Sequence, residues 1–131
     1  MGFGVIDTVI EKEWDYKGYP CQVKADMGYR YGYVGVPKGH PYYGKDYGDI
    51  ELDVHGGLVS SGDNPDSNLE DTWWLGFGCT HYGDLPDPKY APQGFIHARA
   101  LIGFGHAWTL PEVEAQVERM VDQLEEVKEA S

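Results

Sequence analysis

Residues 13–37, EWDYKGYPCQVKADMGYRYGYVGVP, decide how the chain is read. Tyr16-Lys17-Gly18 supplies one turn and Met27-Gly28 the next, because glycine takes the positive φ that tight hairpins need. Between them Cys21, Val23 and Ala25 alternate with polar neighbours, so they share one face of a strand. In RYGYVGV, Gly32, Val34 and Val36 point one way and Tyr31 and Tyr33 the other, and Pro37 ends the strand. Three successive antiparallel strands follow from this spacing.

Outward from there the pattern repeats. In IELDVHGG, Ile50, Leu52 and Val54 alternate with Glu51, Asp53 and His55, which predicts a half-buried strand. In TWWLGFGCTH, Trp73, Leu75, Phe77, Cys79 and His81 share one face, and Trp74, Gly76, Gly78 and Thr80 the other. Residues 3–10 are apolar and β-branched, a strand or an arm. Residues 37–49 and 60–71 are rich in turn formers and read as loops. In 82–108, DLPDPKYAPQGF is loop by its prolines, and FIHARALIGFGHAW reads equally as a short helix or a strand. The end is a helix. Thr109-Leu110-Pro111-Glu112 is a capping box, and Val113, Val117, Met120, Val121, Leu124 and Val127 recur at helical spacing. The expectation is one α+β domain spanning residues 1–131: a mainly antiparallel, four- to five-stranded sheet packed against one long C-terminal amphipathic helix.

The chain has 131 residues, enough for one core, with 22 acidic and 10 basic residues and a formal charge of −12. Such a field repels the phosphate backbone and anionic lipid, so neither nucleic acid nor membrane is an expected partner. No apolar run is long enough for a membrane span. The first residues lack the basic-then-apolar order of a secretory signal, and Ile6 stands where a myristoylation motif needs Ser or Thr. The expected compartment is the cytoplasm. Cys21 and Cys79 are too few for a disulfide framework and read as small buried hydrophobes.

Candidate chemistry lies at strand ends. Residues two apart on a strand point the same way, which puts Cys79 beside His81 and Asp53 beside His55. With Asp84 these offer zinc-type ligands, although the spacing matches no familiar zinc motif. A Cys79 nucleophile needs a favoured thiolate, and no cation lies near it in sequence. In VPKGHP, Lys38 and His40 sit on a glycine turn that suits a phosphate. Tyr42, Tyr43, Tyr47, Trp73 and Trp74 offer rings to stack on a base. Each feature also has a plain structural reading: aromatic core, solvated lysine, buried thiol.

The blocks GYVGVPKGHPYYGKDY, LDVHGGL and WWLGFGCTHYGD together resemble a family of small proteins encoded by phages and prophages. The resemblance covers roughly residues 16–84 and the final helix. The family pattern reads HGGLTYSG and GFDCAH where this chain has HGGLVSSG and GFGCTH. Gly78 therefore stands where an acid is expected, and residues 95–108 resemble an insertion. The resemblance implies an accessory protein in the cytoplasm of an infected bacterium, and by analogy of context one that sequesters a nucleotide messenger.

Three functions are expected on these grounds. The first is an oligomeric, cofactor-free and metal-free binder of a small nucleotide-like ligand, using Lys38, His40, Tyr43, His55, Trp74 and His81. The second is a metal-dependent phosphodiester hydrolase using His55, Cys79, His81 and Asp84. The third is an inhibitor presenting helix residues Glu114, Glu118, Glu125 and Glu129 to a basic host surface. Separately from these, the periodicity of 73–81 predicts that Cys79 is a core residue and that His81, not Cys79, is the group that matters at the site.

Overall fold

A computed structural model describes residues 8–81, 83–87 and 105–131. Strands β1 (Val9–Tyr16), β2 (Tyr19–Asp26) and β3 (Tyr29–Pro37) form an antiparallel meander. Each connection is two residues with positive φ: Lys17 at 51° and Gly18 at 86°, then Met27 at 53° and Gly28 at 90°. That is the type I′ geometry, whose twist matches the flanking strands. Strand β5 (Thr72–Gly78) pairs antiparallel with the far side of β3, and a short strand β4 (Ser60–Gly62) pairs antiparallel with β5. The sheet order is β1-β2-β3-β5-β4. With one long C-terminal helix, this is the expected α+β architecture.

Register puts Cys21, Val34 and Leu75 side by side, and likewise Val23, Gly32 and Phe77. This row faces helix α1 (Leu110–Ala130). Thr109 and Glu112 close the capping box, and Val113, Val117, Met120, Val121 and Leu124 are fully buried against the sheet. Gly32 permits the close packing. A Cβ there would lie 2.4 Å from the Phe77 ring and 2.6 Å from Val117 Cγ2, so any side chain would push the helix off the sheet.

Two expectations change. IELDVHGG is not a strand. Ile50 and Val54 are buried, and the solvent-side alternation holds, but no neighbouring strand pairs with it. The helix supplies its hydrogen bonds instead. Gln123 Oε1 accepts from Asp53 N–H at 2.7 Å, Gln123 Nε2 donates to Asp53 O at 2.9 Å, and Gln116 Oε1 accepts from His55 N–H at 3.0 Å. A period of two reports alternate burial and says nothing about which groups satisfy the backbone. The second change is β4, three residues of the expected 60–71 loop, too short and polar to carry a pattern. Beyond these, β6 (Asp84–Leu85) and β7 (His106–Ala107) form a two-residue parallel pair. Residues 3–7 and 95–104 lie outside the described residues.

The face of the sheet away from the helix is polar. Asn64 pins loop 63–69 to it, donating to Gln22 Oε1 and accepting from Lys24 Nζ, both at 2.8 Å. Lys24 also pairs with Asp66 and lies over the Tyr33 ring. Gln22, Lys24 and Asn64 are buried there and satisfied.

Candidate metal centre

His55, His81 and Asp84 come together from two turns of chain, one holding His55 and the other both His81 and Asp84. His55 sits in a turn closed by Gly57 N–H donating to Val54 O at 2.9 Å, with Gly56 at φ 70°. The positive φ at the third position is that of a type II turn. Gly56 serves a second purpose: a Cβ on it would stand 2.1 Å from His81 Cε1, so the His81 ring lies flat against this glycine. His81 follows the apolar run of β5. Asp84 N–H donates to His81 O at 2.8 Å, and Asp84 Oδ2 accepts from His81 N–H at 2.9 Å. This small loop turns the carboxylate back toward both imidazoles.

Asp84 is 4% exposed. Its Oδ2 lies 2.9 Å from His55 Nε2, and its Oδ1 accepts from Trp108 Nε1–H at 3.0 Å. Trp108 lies over His55, with ring centroids 4.3 Å apart. The two histidine rings meet edge to face at 5.6 Å. His81 Nδ1 is 3.6 Å from Asp84 Oδ2, beyond hydrogen-bond reach, and has no hydrogen-bond partner although it is buried. One donor atom from each of the three residues lies within 4.8 Å of the others. Zinc bonds of about 2.0–2.2 Å at tetrahedral angles separate ligands by roughly 3.3–3.6 Å. Side-chain adjustment alone therefore brings these donors to a common ion. Among the described residues no other such group of three converges.

Cys79 is not in this set. It is 1% exposed, on the helix-facing side of the sheet. Burial, and after it the Asp84 charge, pushes its thiol up to about 12. Asp53 turns away and pairs with Arg119. Gly78 faces the Tyr31 ring, 2.8 Å from where a Cβ would stand, on the far side of the sheet. An acid at that position would not reach the histidines, so its replacement by glycine takes no ligand from this centre.

The six residues expected to hold a nucleotide do not share one place. His55 and His81 are in the centre just described. His40 is buried under the end of the helix. Its Nδ1 accepts from Tyr42 N–H at 3.0 Å, so Nε2 carries the hydrogen donated to Leu124 O at 2.8 Å. Both nitrogens are thus occupied by the backbone. Tyr43 packs on Trp73. Trp74 is buried on the opposite face of the sheet, beside the Lys24 network. Lys38 is exposed on the rim of a hollow of about 430 Å³ that His40 also lines, with Lys17, Tyr19, Glu125 and Lys128, so of the six these two share a place as His55 and His81 do. Three of the four helix glutamates are likewise engaged, Glu114 by Lys12, Glu118 by Trp14 Nε1–H and Glu125 by Tyr19 O–H, while Glu129 is exposed.

Trp108, Gln116 and Arg30 were not legible as site residues. Trp108 follows a stretch without periodicity. Gln116 and Gln123 carry a faint signal, two uncharged polar residues two turns apart on a helix otherwise lined with charges. No helix among the described residues is long and apolar enough to cross a membrane. Compared with family models, with curated proteins and with solved structures, the chain matches none of them.

Proposed function

We propose that this chain is a metal-dependent hydrolase whose ion is held by His55, His81 and Asp84. The observation that carries the reading is the convergence of two imidazoles and a carboxylate within 4.8 Å. Three protein ligands leave a fourth position for water, the arrangement of catalytic rather than structural zinc. An ion held by His55, His81 and Asp84 would supply Lewis acidity, bringing the pKa of a bound water toward about 7. His81, with a side chain 38% exposed, gives the open position access to solvent. Small phosphodiesters are the substrates to try first, since a net charge of −12 opposes polyanions. The phage-like sequence blocks suggest that it works inside an infected cell.

Untagged protein equilibrated with zinc, manganese or iron(II) and then desalted should retain one ion per chain. Asp84→Asn should lose that ion yet stay folded, because the amide still fills the space. Hydrolysis of bis(p-nitrophenyl) phosphate should stop with chelator and return with metal. Retention well below one ion per chain for all three metals would end this reading.

A second reading is favoured by one observation, the hollow between Lys17, Lys38 and Lys128. Glu125 also lines the hollow, 3.8 Å from Lys128, and Lys17 pairs with Asp122, so Lys38 is the ammonium group offered to the phosphate of a nucleotide-like ligand. Calorimetry with cyclic and ADP-ribose-type nucleotides should then show binding that Lys38→Ala weakens at least several-fold. Absence of heat across the panel would remove it.

A further inference from the structure

We propose that Trp108 is a positioning residue for the metal centre, fixing both Asp84 and His55; the inference rests on the metal-binding reading above. Two contacts carry it. Trp108 Nε1–H donates to Asp84 Oδ1 at 3.0 Å, and the indole lies over the His55 imidazole at 4.3 Å between centroids, with planes 35° apart. One side chain thus restrains two of the three ligands. His55 Nε2 lies 2.9 Å from Asp84 Oδ2 and 3.1 Å from Oδ1, so both carboxylate oxygens face that imidazole. The indole N–H on Oδ1 and the His81 N–H on Oδ2 together fix the rotation of the carboxylate.

Trp108 is itself fixed by a buried charge. Arg30, 6% exposed, donates from Nη1 to Trp108 O at 2.8 Å. The same guanidinium makes a paired contact with Glu11, at 2.6 and 2.9 Å, and reaches Asp87 Oδ2 at 2.9 Å. Paired guanidinium–carboxylate contacts are strong and directional. The backbone joins in. Arg30 O accepts from Cys79 N–H, Gly28 O accepts from Asp87 N–H, and Gly83 O accepts from His106 N–H. Arg30 therefore ties β1, β3, the Asp84 segment and Trp108 into one frame. Groups that orient metal ligands without touching the ion change affinity by about 10–100-fold when removed.

Trp108→Phe is the deciding variant. It keeps an aromatic ring beside His55 while removing the N–H donor together with part of the indole. Cobalt(II) is the probe, because its visible absorption reports ligand geometry. Titration of the wild-type and variant proteins should show binding weakened about 10–100-fold by Trp108→Phe. The cobalt band should shift in position or intensity, and the thermal midpoint should stay within a few degrees. A residue that merely filled space would move the midpoint and leave the band where it was. Trp108→Ala, which removes both contacts, should weaken binding further; if it fails to fold, the phenylalanine variant still decides. Equal affinity and an unchanged cobalt spectrum in Trp108→Phe would overturn the role of Trp108 and leave the metal centre standing. A wild-type protein that takes up no cobalt would overturn both.

Discussion

At the scale of single residues, the two cysteines set an alkaline limit on stability. Burial raises Cys21 and Cys79 alike, each to about 12, with Glu118 adding to the first and Asp84 to the second. In the unfolded chain a thiol ionises near its ordinary value of about 8.5. Between these values the folded state holds protons that the unfolded state has lost. Stability is therefore fully present below about pH 8.5 and falls as pH rises toward 12, by up to about 1.4 kcal/mol per pH unit for each thiol. Urea titrations at pH 7, 9 and 10.5 should show a midpoint slightly lower at pH 9 than at pH 7 and clearly lower at pH 10.5. The same burial makes Cys79 inert to iodoacetamide in the native protein. Cys79→Ala should cost about 1–2 kcal/mol and leave metal uptake unchanged. Rapid alkylation at neutral pH would refute the burial argument.

Among the elements, helix α1 does more than cover the sheet. Gln116 and Gln123 take over the backbone hydrogen bonds that a neighbouring strand would supply to residues 53–55. Gln116 thereby fixes His55 from outside the metal centre. Gln116→Ala should speed hydrogen exchange of the His55 amide while amides in the middle of α1 keep their protection. Exchange at His55 unchanged from wild type would show that the glutamine contact is not what holds the segment. The sequence reading found most of this architecture for a physical reason. Lys17-Gly18 and Met27-Gly28 specify their turns locally, and the Thr109–Glu112 capping box specifies where α1 starts. The segment around His55 misled because alternate burial is common to a strand and to an extended chain lying on a helix. His81 and Asp84 were legible as polar residues past an apolar run. That His55 rather than Cys79 completes the set, and that Trp108 supports it, depends on contacts between positions distant in sequence. No local pattern carries those.

For the molecule as a whole, charge and geometry separate two candidate sites. The metal centre lies beside Gln116 and the lysine-lined hollow beside Lys128. At 1.5 Å per residue, the helix places them roughly 18 Å apart, so each can be tested without disturbing the other. Lys12 and the neutral donors Trp14 and Tyr19 hold three helix carboxylates against β1 and β2 without reducing the net charge.

The order of elements along the chain bears on biosynthesis. Of these elements the meander β1–β3 is made before α1, with Val23, Val34 and Val36 on the face that α1 later covers. At about 5–20 residues per second, roughly 5–20 s of translation separate the end of β3 from the end of α1. Through that interval the apolar face of the meander lacks the helix that buries it in the fold.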